Sequence, residues 1–179
     1  LWKRKNKLKK EKIRIKMLKN QNVPLIAISG GFDPLHVGHL KMIEAATKSG
    51  NVIVILNSDE WLKRKKGYVF MPFEERKYLL QQIKGVHGVT NVNDIDGTVC
   101  EALRRIKPDL FGNGGHRTAE NTPEVQLCEE LGIDMAWELG GEKVQSSSGL
   151  INTVFKTRSA PTEIDQFKET LEKLFPTLF

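Results

Sequence analysis

The sequence is poor in cysteine, with only Cys100 and Cys128 in 179 residues. They lack the close spacing of metal-binding cysteine pairs, and two distant cysteines make no disulfide framework. The sequence therefore does not predict a fold that depends on zinc or on disulfide bonds. We expect each cysteine to be a small, buried side chain on a helix, and a reducing cytoplasm is the expected compartment.

Long apolar runs are also lacking. The longest uninterrupted one covers residues 52–56, far below the roughly 18 residues that cross a bilayer. The basic start is not followed by an apolar stretch, so neither a signal peptide nor a membrane span is expected. Leu1 stands where an initiator Met would, which suggests that the sequence begins inside a longer product.

Acidic residues are scarce at the start of the chain. Residues 1–22 hold ten Lys/Arg and one Glu, a net charge of +9, whereas the rest holds 18 basic and 21 acidic residues, a net charge of −3. This basic arm is interpreted either as a contact for nucleic acid or anionic membrane, or as a solvated, partly helical extension. Its one aromatic residue is Trp2, so it lacks a series of stacking residues and nucleic acid is not an expected partner.

From residue 24 onward, strand patterns alternate with helix patterns. Apolar runs predict buried strands, and apolar residues at helical spacing predict helices. The predicted strands cover residues 25–29, 52–56, 86–92, 109–113 and 133–137, and the predicted helices cover 38–49, 72–83, 98–107, 124–131 and two that begin at Ser147 and Pro161. This alternation predicts an α/β fold, a parallel sheet with helices on both faces, whose ligands bind beyond the carboxyl ends of the strands.

Three segments are predicted in all: the arm over residues 1–22, one catalytic domain over 23–157 and a C-terminal amphipathic helix over 158–179. Within the arm, Ile13 and Met17 would share one face of a short helix, and Ile15 and Leu18 another. The C-terminal helix is expected to pack on the core or on a partner subunit through an apolar stripe. That stripe consists of Ile164, Phe167, Leu171, Leu174 and Phe175.

The run His36-Val37-Gly38-His39 follows the first predicted strand and the pair Gly30-Gly31, and it begins a predicted helix. Backbone N–H groups and two imidazoles meet at such a junction, which favours contact with phosphate oxygens. Near pH 7 either imidazole is expected to donate a hydrogen bond, as a neutral or a cationic ring. A zinc site would need further ligands at workable spacing, and none lies nearby.

Two further loops are candidates for binding phosphate at the same edge. The cationic run Lys63-Arg64-Lys65-Lys66 before Gly67 predicts a mobile lid over a triphosphate, with a solvated loop or a nucleic-acid patch as the alternatives. The run Ser146-Ser147-Ser148 at a helix start predicts phosphate contacts, with an ordinary helix cap as the alternative. A nucleophile with its base and orienting group is lacking, so the site is interpreted as one that positions groups and stabilises charge.

These residues resemble the HxGH signature of the cytidylyltransferase-like nucleotidylyltransferases, and the similarity extends over about residues 26–154. Residues 57–67 and the run 108–115 resemble heptose 1-phosphate adenylyltransferases, and residues 68–80 also resemble glycerol-3-phosphate cytidylyltransferases. Residues 146–151 resemble the late Ser/Thr signature of the family.

The resemblance implies a Rossmann-like, doubly wound sheet and a homodimer. It implies that a phosphorylated sugar or polyol attacks the α-phosphate of ATP or CTP, with Mg²⁺ carried by the triphosphate and pyrophosphate released. AMP is the favoured group, a CTP-dependent glycerol-3-phosphate type is the alternative, and a nucleotide- or nucleic-acid-binding protein without catalysis is a different class. The implied catalytic residues are His36, His39, Lys63 and Lys66, and the implied nucleotide contacts are Gly31, Phe32, Asp33, Gly114, Ser146, Ser147 and Ser148.

Arg76, Asn113, His116 and Arg117 are the implied acceptor-binding or supporting residues. One of these positions departs from the family pattern, because relatives usually carry an acid after the glycines of this loop. Here His116 and Arg117 stand in place of that acid and its neighbour. Two extra cationic or hydrogen-bonding groups favour a more anionic acceptor or a different base pocket.

Overall fold

The computed structural model describes residues 13–19, 22–115, 117–142 and 144–159. It divides into two compact units, residues 1–145 and residues 146–179. The predicted stripe on the C-terminal helix and the predicted contact of His116 lie outside the described residues. The described part of the chain contains no helix that is long and apolar enough to cross a bilayer.

The first unit is an α/β structure with five parallel strands in the order β3-β2-β1-β4-β5. The strands are β1 (Leu25–Gly30), β2 (Asn51–Leu56), β3 (Val86–Asn91), β4 (Leu110–Gly114) and β5 (Asp134–Leu139). The helices are α1 (residues 13–19), α2 (Val37–Thr47), α3 (Asp59–Lys66), α4 (Phe73–Gln81), α5 (Cys100–Ile106) and α6 (Val125–Leu131), with a short 3₁₀ turn at Ala119–Asn121. The predicted Rossmann-like class is confirmed.

Apolar strands account for the core. β1 and β2 are buried almost throughout, because helices cover both faces of a parallel sheet. One apolar cluster lies on the face that carries α1, α5 and α6, and a second lies on the face of α2 and α4. Ile15 and Leu18 of α1 belong to the first cluster, whereas Ile13 and Met17 are exposed. Part of the basic arm is therefore part of the core.

The two cysteines lie on helices, as predicted. Cys128 of α6 is buried, and Cys100 at the start of α5 is half-buried. Burial in apolar surroundings and the Glu124 carboxylate raise the pKa of the Cys128 thiol to about 11. This thiol therefore stays protonated and acts as a core side chain.

Residues 59–66 form a helix, so the solvated loop that the sequence left as an alternative is wrong, and closure of this segment over a triphosphate remains a prediction. Ser58 caps its start, since its Oγ accepts a hydrogen bond from the Trp61 N–H at 3.0 Å. Asp59 and Glu60 lie in its first turn, the four cations in its last, and Gly67 ends it in the left-handed conformation. This distribution of charge complements the helix dipole, and only glycine adopts the final φ without strain.

The chain order of the strands reverses between β1 and β4, which pair directly. In doubly wound sheets the ligand crevice lies beyond the carboxyl ends of the two strands at such a reversal. The loop after β1 leads to His36–His39, and the loop after β4 begins at Gly115. The fold thus brings the two candidate loops to one crevice.

Candidate active site

His36 joins the loop after β1 to helix α2. It is the N-cap of that helix, and its Nδ1 accepts a hydrogen bond from the Gly38 N–H at 3.1 Å. Since this bond uses the lone pair on Nδ1, the neutral ring carries its hydrogen on Nε2. A Cβ on residue 38 would lie 3.1 Å from that imidazole. Glycine at position 38 therefore keeps the ring in its capping position.

His39 lies one helical turn further and stacks on His36. The ring centroids are 3.8 Å apart with an interplanar angle of 21°, and Phe32 packs against His39 at 4.8 Å. Burial lowers the pKa of His39 to about 3, with smaller contributions from the neighbouring His36 and Lys66. His39 is therefore neutral near pH 7 in the unliganded protein, and the cationic form allowed by the sequence is wrong for this ring.

The Nδ1 atom of His39 is buried and has no hydrogen-bond partner within the described parts of the chain. A buried polar atom left in this state costs about 1–3 kcal/mol. Such an exception calls for an explanation, and a ligand group that hydrogen-bonds to the ring would supply one. The imidazole pair is thus placed for a polar ligand.

Lys66 connects the cationic end of α3 to the loop after β1. Its Nζ donates to the carbonyl oxygen of Asp33 at 2.7 Å. Burial lowers the pKa of Lys66, Asp33 raises it and Arg76 lowers it further. Lys66 is the cation of α3 that the structure brings next to the histidine loop, whereas Lys63 is exposed.

The side chain of Asp33 is fully buried and holds the segment that follows α3. Its two carboxylate oxygens accept hydrogen bonds from the backbone N–H groups of Phe70, at 2.8 Å, and Met71, at 2.6 Å. These two bonds fix the segment 70–71 beside the loop after β1. A contact of Asp33 with the nucleotide remains a prediction.

Arg76 of α4 is buried and holds the same loops together. Its guanidinium donates to the carbonyl oxygens of Gly31 at 2.7 Å, Asn57 at 3.0 Å and Met71 at 2.8 Å, and it pairs with the Asp59 carboxylate. Its role is therefore support of the loop framework, in line with the supporting role that the resemblance implies.

Gly31 is a point of close approach between the loop after β1 and helix α3. A Cβ at this position would come within 2.7 Å of the Leu62 side chain and 3.5 Å of the Trp61 ring. Phe32 is buried with a positive φ of 51°. Backbone contact of Gly31 and Phe32 with the nucleotide remains a prediction.

The loop after β4 approaches α2 closely at Gly114. A Cβ there would lie 2.7 Å from the sulfur of Met42, and the neighbouring Asn113 is buried with its amide 3.4 Å from the Phe111 carbonyl oxygen. Beyond Gly115, the Arg117 guanidinium lies 3.6 Å from a carboxylate oxygen of Glu124. The predicted acceptor loop is thus anchored to α2 at one end and to the start of α6 at the other.

The serine run belongs to the second unit, whose described helix is α7 (Ser147–Ser159). Ser146 Oγ accepts from the Gly149 N–H at 3.0 Å, and the Ser146 carbonyl oxygen accepts from the Leu150 N–H. Ser146 therefore caps this helix, which is the alternative that the sequence left open for one serine. Phosphate contacts of Ser147 and Ser148 remain predictions.

One group near the crevice, Asp94, was missed from the sequence, and one cation of the predicted run, Lys65, has a contact that the sequence did not predict. The buried Asp94, after β3, accepts hydrogen bonds from the Ser58 N–H and hydroxyl at 2.8 and 2.7 Å and from the Asn57 amide at 3.2 Å. Lys65 lies over the Trp61 ring, 4.3 Å from its centroid. Since the carboxyl ends of parallel strands share an edge, the position of Asp94 after a strand was a usable signal.

The described residues contain no group of three or more His, Cys, Asp or Glu side chains that could hold a metal ion. The polar groups that meet around the loop after β1 are imidazoles, a lysine and backbone amides. This set is suited to phosphate oxygens.

Comparison with known proteins agrees with this chemistry. A family model described as cytidylyltransferase-like matches residues 27–160. The bifunctional protein HldE of Desulfatibacillum aliphaticivorans is 31% identical over 130 residues, which are 70% of this chain and 26% of that protein. HldE of Sulfurimonas denitrificans is 33% identical over 121 residues, which are 65% of this chain and 25% of that protein. The chain thus spans about a quarter of the length of these relatives.

A solved structure shows the same fold. The lipopolysaccharide core biosynthesis protein from Thermoplasma volcanium GSS1 superimposes with a TM-score of 0.53 at 20% identity, over 70% of this chain and 99% of that one. The family model covers more than half of the chain and includes the histidine pair, helix α3 and the loop after β4. The chain therefore belongs to the cytidylyltransferase-like family of nucleotidylyltransferases.

Proposed function

We propose that this domain transfers a nucleoside monophosphate, with AMP favoured, from a nucleoside triphosphate to the phosphate of a sugar or polyol. A phosphate oxygen of the acceptor bonds to the α-phosphorus, and the bond from that phosphorus to the bridging oxygen breaks. Pyrophosphate leaves with the electron pair. The observation that carries the proposal is the stacked His36–His39 pair with its unpartnered, buried nitrogen at the strand-order reversal.

The histidines act as neutral hydrogen-bond donors in this proposal. His36 presents Nε2–H because its Nδ1 is engaged by Gly38. His39 is neutral because of its burial. Donors fixed before the reaction stabilise charge that develops on phosphoryl oxygens without reorganisation. Stacking holds the two rings in register, so both donate toward the same phosphoryl group.

Lys66 supplies the positive charge beside this pair. Its ammonium is held by the Asp33 carbonyl oxygen and keeps two further N–H donors for phosphate oxygens. Mg²⁺ carried by the triphosphate would supply further positive charge to the phosphate oxygens that Lys66 contacts. Positioning and charge stabilisation are the main demands of such a transfer, since the protein forms no covalent bond.

ATP is favoured as the donor because residues 57–67 and 108–115 resemble adenylyltransferases. The relatives named bifunctional protein HldE support a role on a phosphorylated carbohydrate through the same resemblance. We further propose a homodimer, which the family resemblance implies. Light scattering of the purified chain gives its mass in solution and tests the dimer.

Pyrophosphate release tests the function. ATP and CTP are each combined with Mg²⁺ and a panel of heptose, glycerol, ribitol and other sugar phosphates. We expect turnover with ATP and a phosphorylated sugar or polyol. A preference for CTP with glycerol 3-phosphate would replace the adenylyl assignment with the cytidylyl one, and nucleotide binding without turnover across the panel would refute catalysis.

Substitution of His39 tests the mechanism. His39→Ala is expected to lower kcat by about 10² or more, the usual loss when a donor to a developing oxyanion is removed. His87→Asn is the control, since His87 accepts a hydrogen bond from the Val52 N–H within the sheet, and it is expected to retain activity. Unchanged turnover in a folded His39→Ala protein would exclude the proposed role.

A further inference from the structure

The four cationic side chains at the end of α3 do not share one environment. Arg64 donates to the Asp94 carbonyl oxygen at 2.6 Å, and Lys66 donates to the Asp33 carbonyl oxygen. Lys63 is exposed. Lys65 lies over the Trp61 ring, on a different side of the helix from Lys66 because consecutive helical residues differ by about 100°. Lys65 is therefore separate from the cation that serves the histidine pair.

The Trp61 ring connects Lys65 to the turn before α5. The indole Nε1–H lies 3.4 Å from the Gly97 carbonyl oxygen. A Cβ built on Gly97 would meet no heavy atom of the described residues within 4 Å, so the space over this turn is open. Lys65 and its aromatic platform thus border one side of the turn 97–99.

Arg117 reaches the same turn from the loop after β4. Its partner Glu124 is buried, and Oε1 of Glu124 accepts from the Val99 N–H at 2.9 Å. The other oxygen, Oε2, lies 3.6 Å from Arg117 and has no hydrogen bond within the described ranges. The Arg117 side chain is 39% exposed. Its remaining N–H donors are thus accessible to a ligand.

Two cations, Lys65 of helix α3 and Arg117 of the loop after β4, therefore border one short turn at the edge of the crevice. Burial lowers the pKa of Lys65, and the charges of Arg117 and Lys66 lower it further. Like charges held near each other repel, and an anion between them removes that repulsion. The ammonium of Lys65 and the free N–H donors of Arg117 are both suited to the oxygens of a phosphate or carboxylate.

We propose that Lys65 and Arg117 form a second anion subsite, which binds a negatively charged group of the acceptor other than the phosphate that reacts. The inference rests on the proposed function and narrows its substrate class to acceptors with two anionic groups. Glu124 orients Arg117 and competes with the ligand for it. Lys65 and Arg117 are thus specificity-determining residues, whereas the histidine pair and Lys66 serve the reacting phosphates.

Paired probes test the subsite by calorimetry on the full chain. Glucose 1-phosphate and glucose 1,6-bisphosphate are titrated with and without a saturating, non-hydrolysable ATP analogue and Mg²⁺. We expect the bisphosphate to bind the wild-type protein at least tenfold more tightly than the monophosphate. Lys65→Met is expected to reduce this ratio to below about threefold, and Lys48→Met, on the surface after α2, to leave it unchanged.

Variants of the Arg117–Glu124 pair separate recognition from folding, since Arg117→Met leaves a buried carboxylate without its ion pair. The double variant Arg117→Gln with Glu124→Gln removes both charges and is expected to abolish the preference for the bisphosphate. Glu124→Gln alone frees the guanidinium and is expected to strengthen bisphosphate binding by severalfold. If Glu124→Gln weakens it in a folded protein, the competition is refuted.

Three outcomes would overturn the subsite. In the first, the wild-type protein binds the bisphosphate no more tightly than the monophosphate. In the second, Lys65→Met keeps the wild-type preference for the bisphosphate. In the third, Lys65→Met weakens binding of the ATP analogue by tenfold. The last result would mean that Lys65 holds the triphosphate. Failure of the proposed function looks different, because pyrophosphate is then not released with ATP or CTP across the acceptor panel, while the bisphosphate preference still reports on Lys65 and Arg117.

Discussion

His39 is a small, titratable group whose charge state depends on the fold. An isolated imidazole has a pKa near 6.5, and burial lowers the pKa of His39 to about 3. The neutral ring is the form that stacks on His36 without charge repulsion. His39 therefore carries no positive charge near pH 7, and the positive charge next to it is that of Lys66.

This pKa has a measurable effect on stability. Between about pH 6.5 and 3 the unfolded His39 binds a proton that the folded ring does not, so the free energy of unfolding falls as the pH falls through this window. The slope for one such group approaches about 1.4 kcal/mol per pH unit. Urea denaturation at pH 7.5, 6.5, 5.5 and 4.5 measures it.

His39→Asn is the reference for that experiment, because it removes the titrating ring and leaves all other groups in place. We expect the wild-type curve to fall more steeply below pH 6.5, and the two curves to run parallel above pH 7. Parallel curves over the whole range would show that His39 titrates normally in the folded protein.

At the scale of the element, α3 depends on Ser58, the residue that caps its start. Ser58 Oγ accepts from the Trp61 N–H and donates to Asp94. Ser58→Ala removes both bonds and is expected to lower the free energy of unfolding by about 1–2 kcal/mol. Ser58→Thr keeps the hydroxyl and should retain most of the stability, and Ser49→Ala, on an exposed residue, should change little. Chemical denaturation gives each value, and a neutral Ser58→Ala would contradict the cap.

Helix α3 also shows which structural elements could be predicted from the sequence and which could not. The strands were predicted because apolar runs such as 52–56 leave few alternatives. Helix α3 was missed although Ser58, Asp59 and Gly67 carry the usual signals for its start and end. The four consecutive cations were interpreted as a lid over a triphosphate, with a solvated loop as the alternative, yet cations stabilise the last turn of a helix.

Other features had no sequence signal of sufficient strength. The fully buried Arg76 contacts carbonyl oxygens from three separate loops, and arginine is ordinarily an exposed residue. The order of the strands in the sheet could not be predicted from local sequence patterns either. The same alternation of strands and helices along the chain is compatible with many different strand orders. The histidine pair and its loop were predictable, since glycines, proline and helix start lie within ten residues.

At the scale of the whole molecule, the basic arm contributes to the fold. Leu18 of α1 lies in the apolar cluster on the face of α5 and α6, and the Lys19 ammonium donates to the Lys107 carbonyl oxygen at the end of α5. A terminal segment that buries apolar side chains contributes to global stability. The described part of the arm, residues 13–19, is therefore a helix with a structural role.

Leu18→Ala tests this contribution. The change removes a buried side chain and is expected to lower the free energy of unfolding by about 2–4 kcal/mol. Met17→Ala is the matched control, since Met17 is 64% exposed on the same helix, and it should change stability by less than about 0.5 kcal/mol. Equal effects of the two substitutions in thermal or urea denaturation would show that α1 does not pack on the core.

The guanidinium of Arg76 has a consequence for recognition. Since one buried cation ties the loops after β1 and β2 and the segment after α3 to each other, their conformational entropy is lost when the chain folds. Association with a nucleotide then spends little free energy on ordering the backbone. Affinity at this crevice therefore depends mainly on the groups that contact the phosphates.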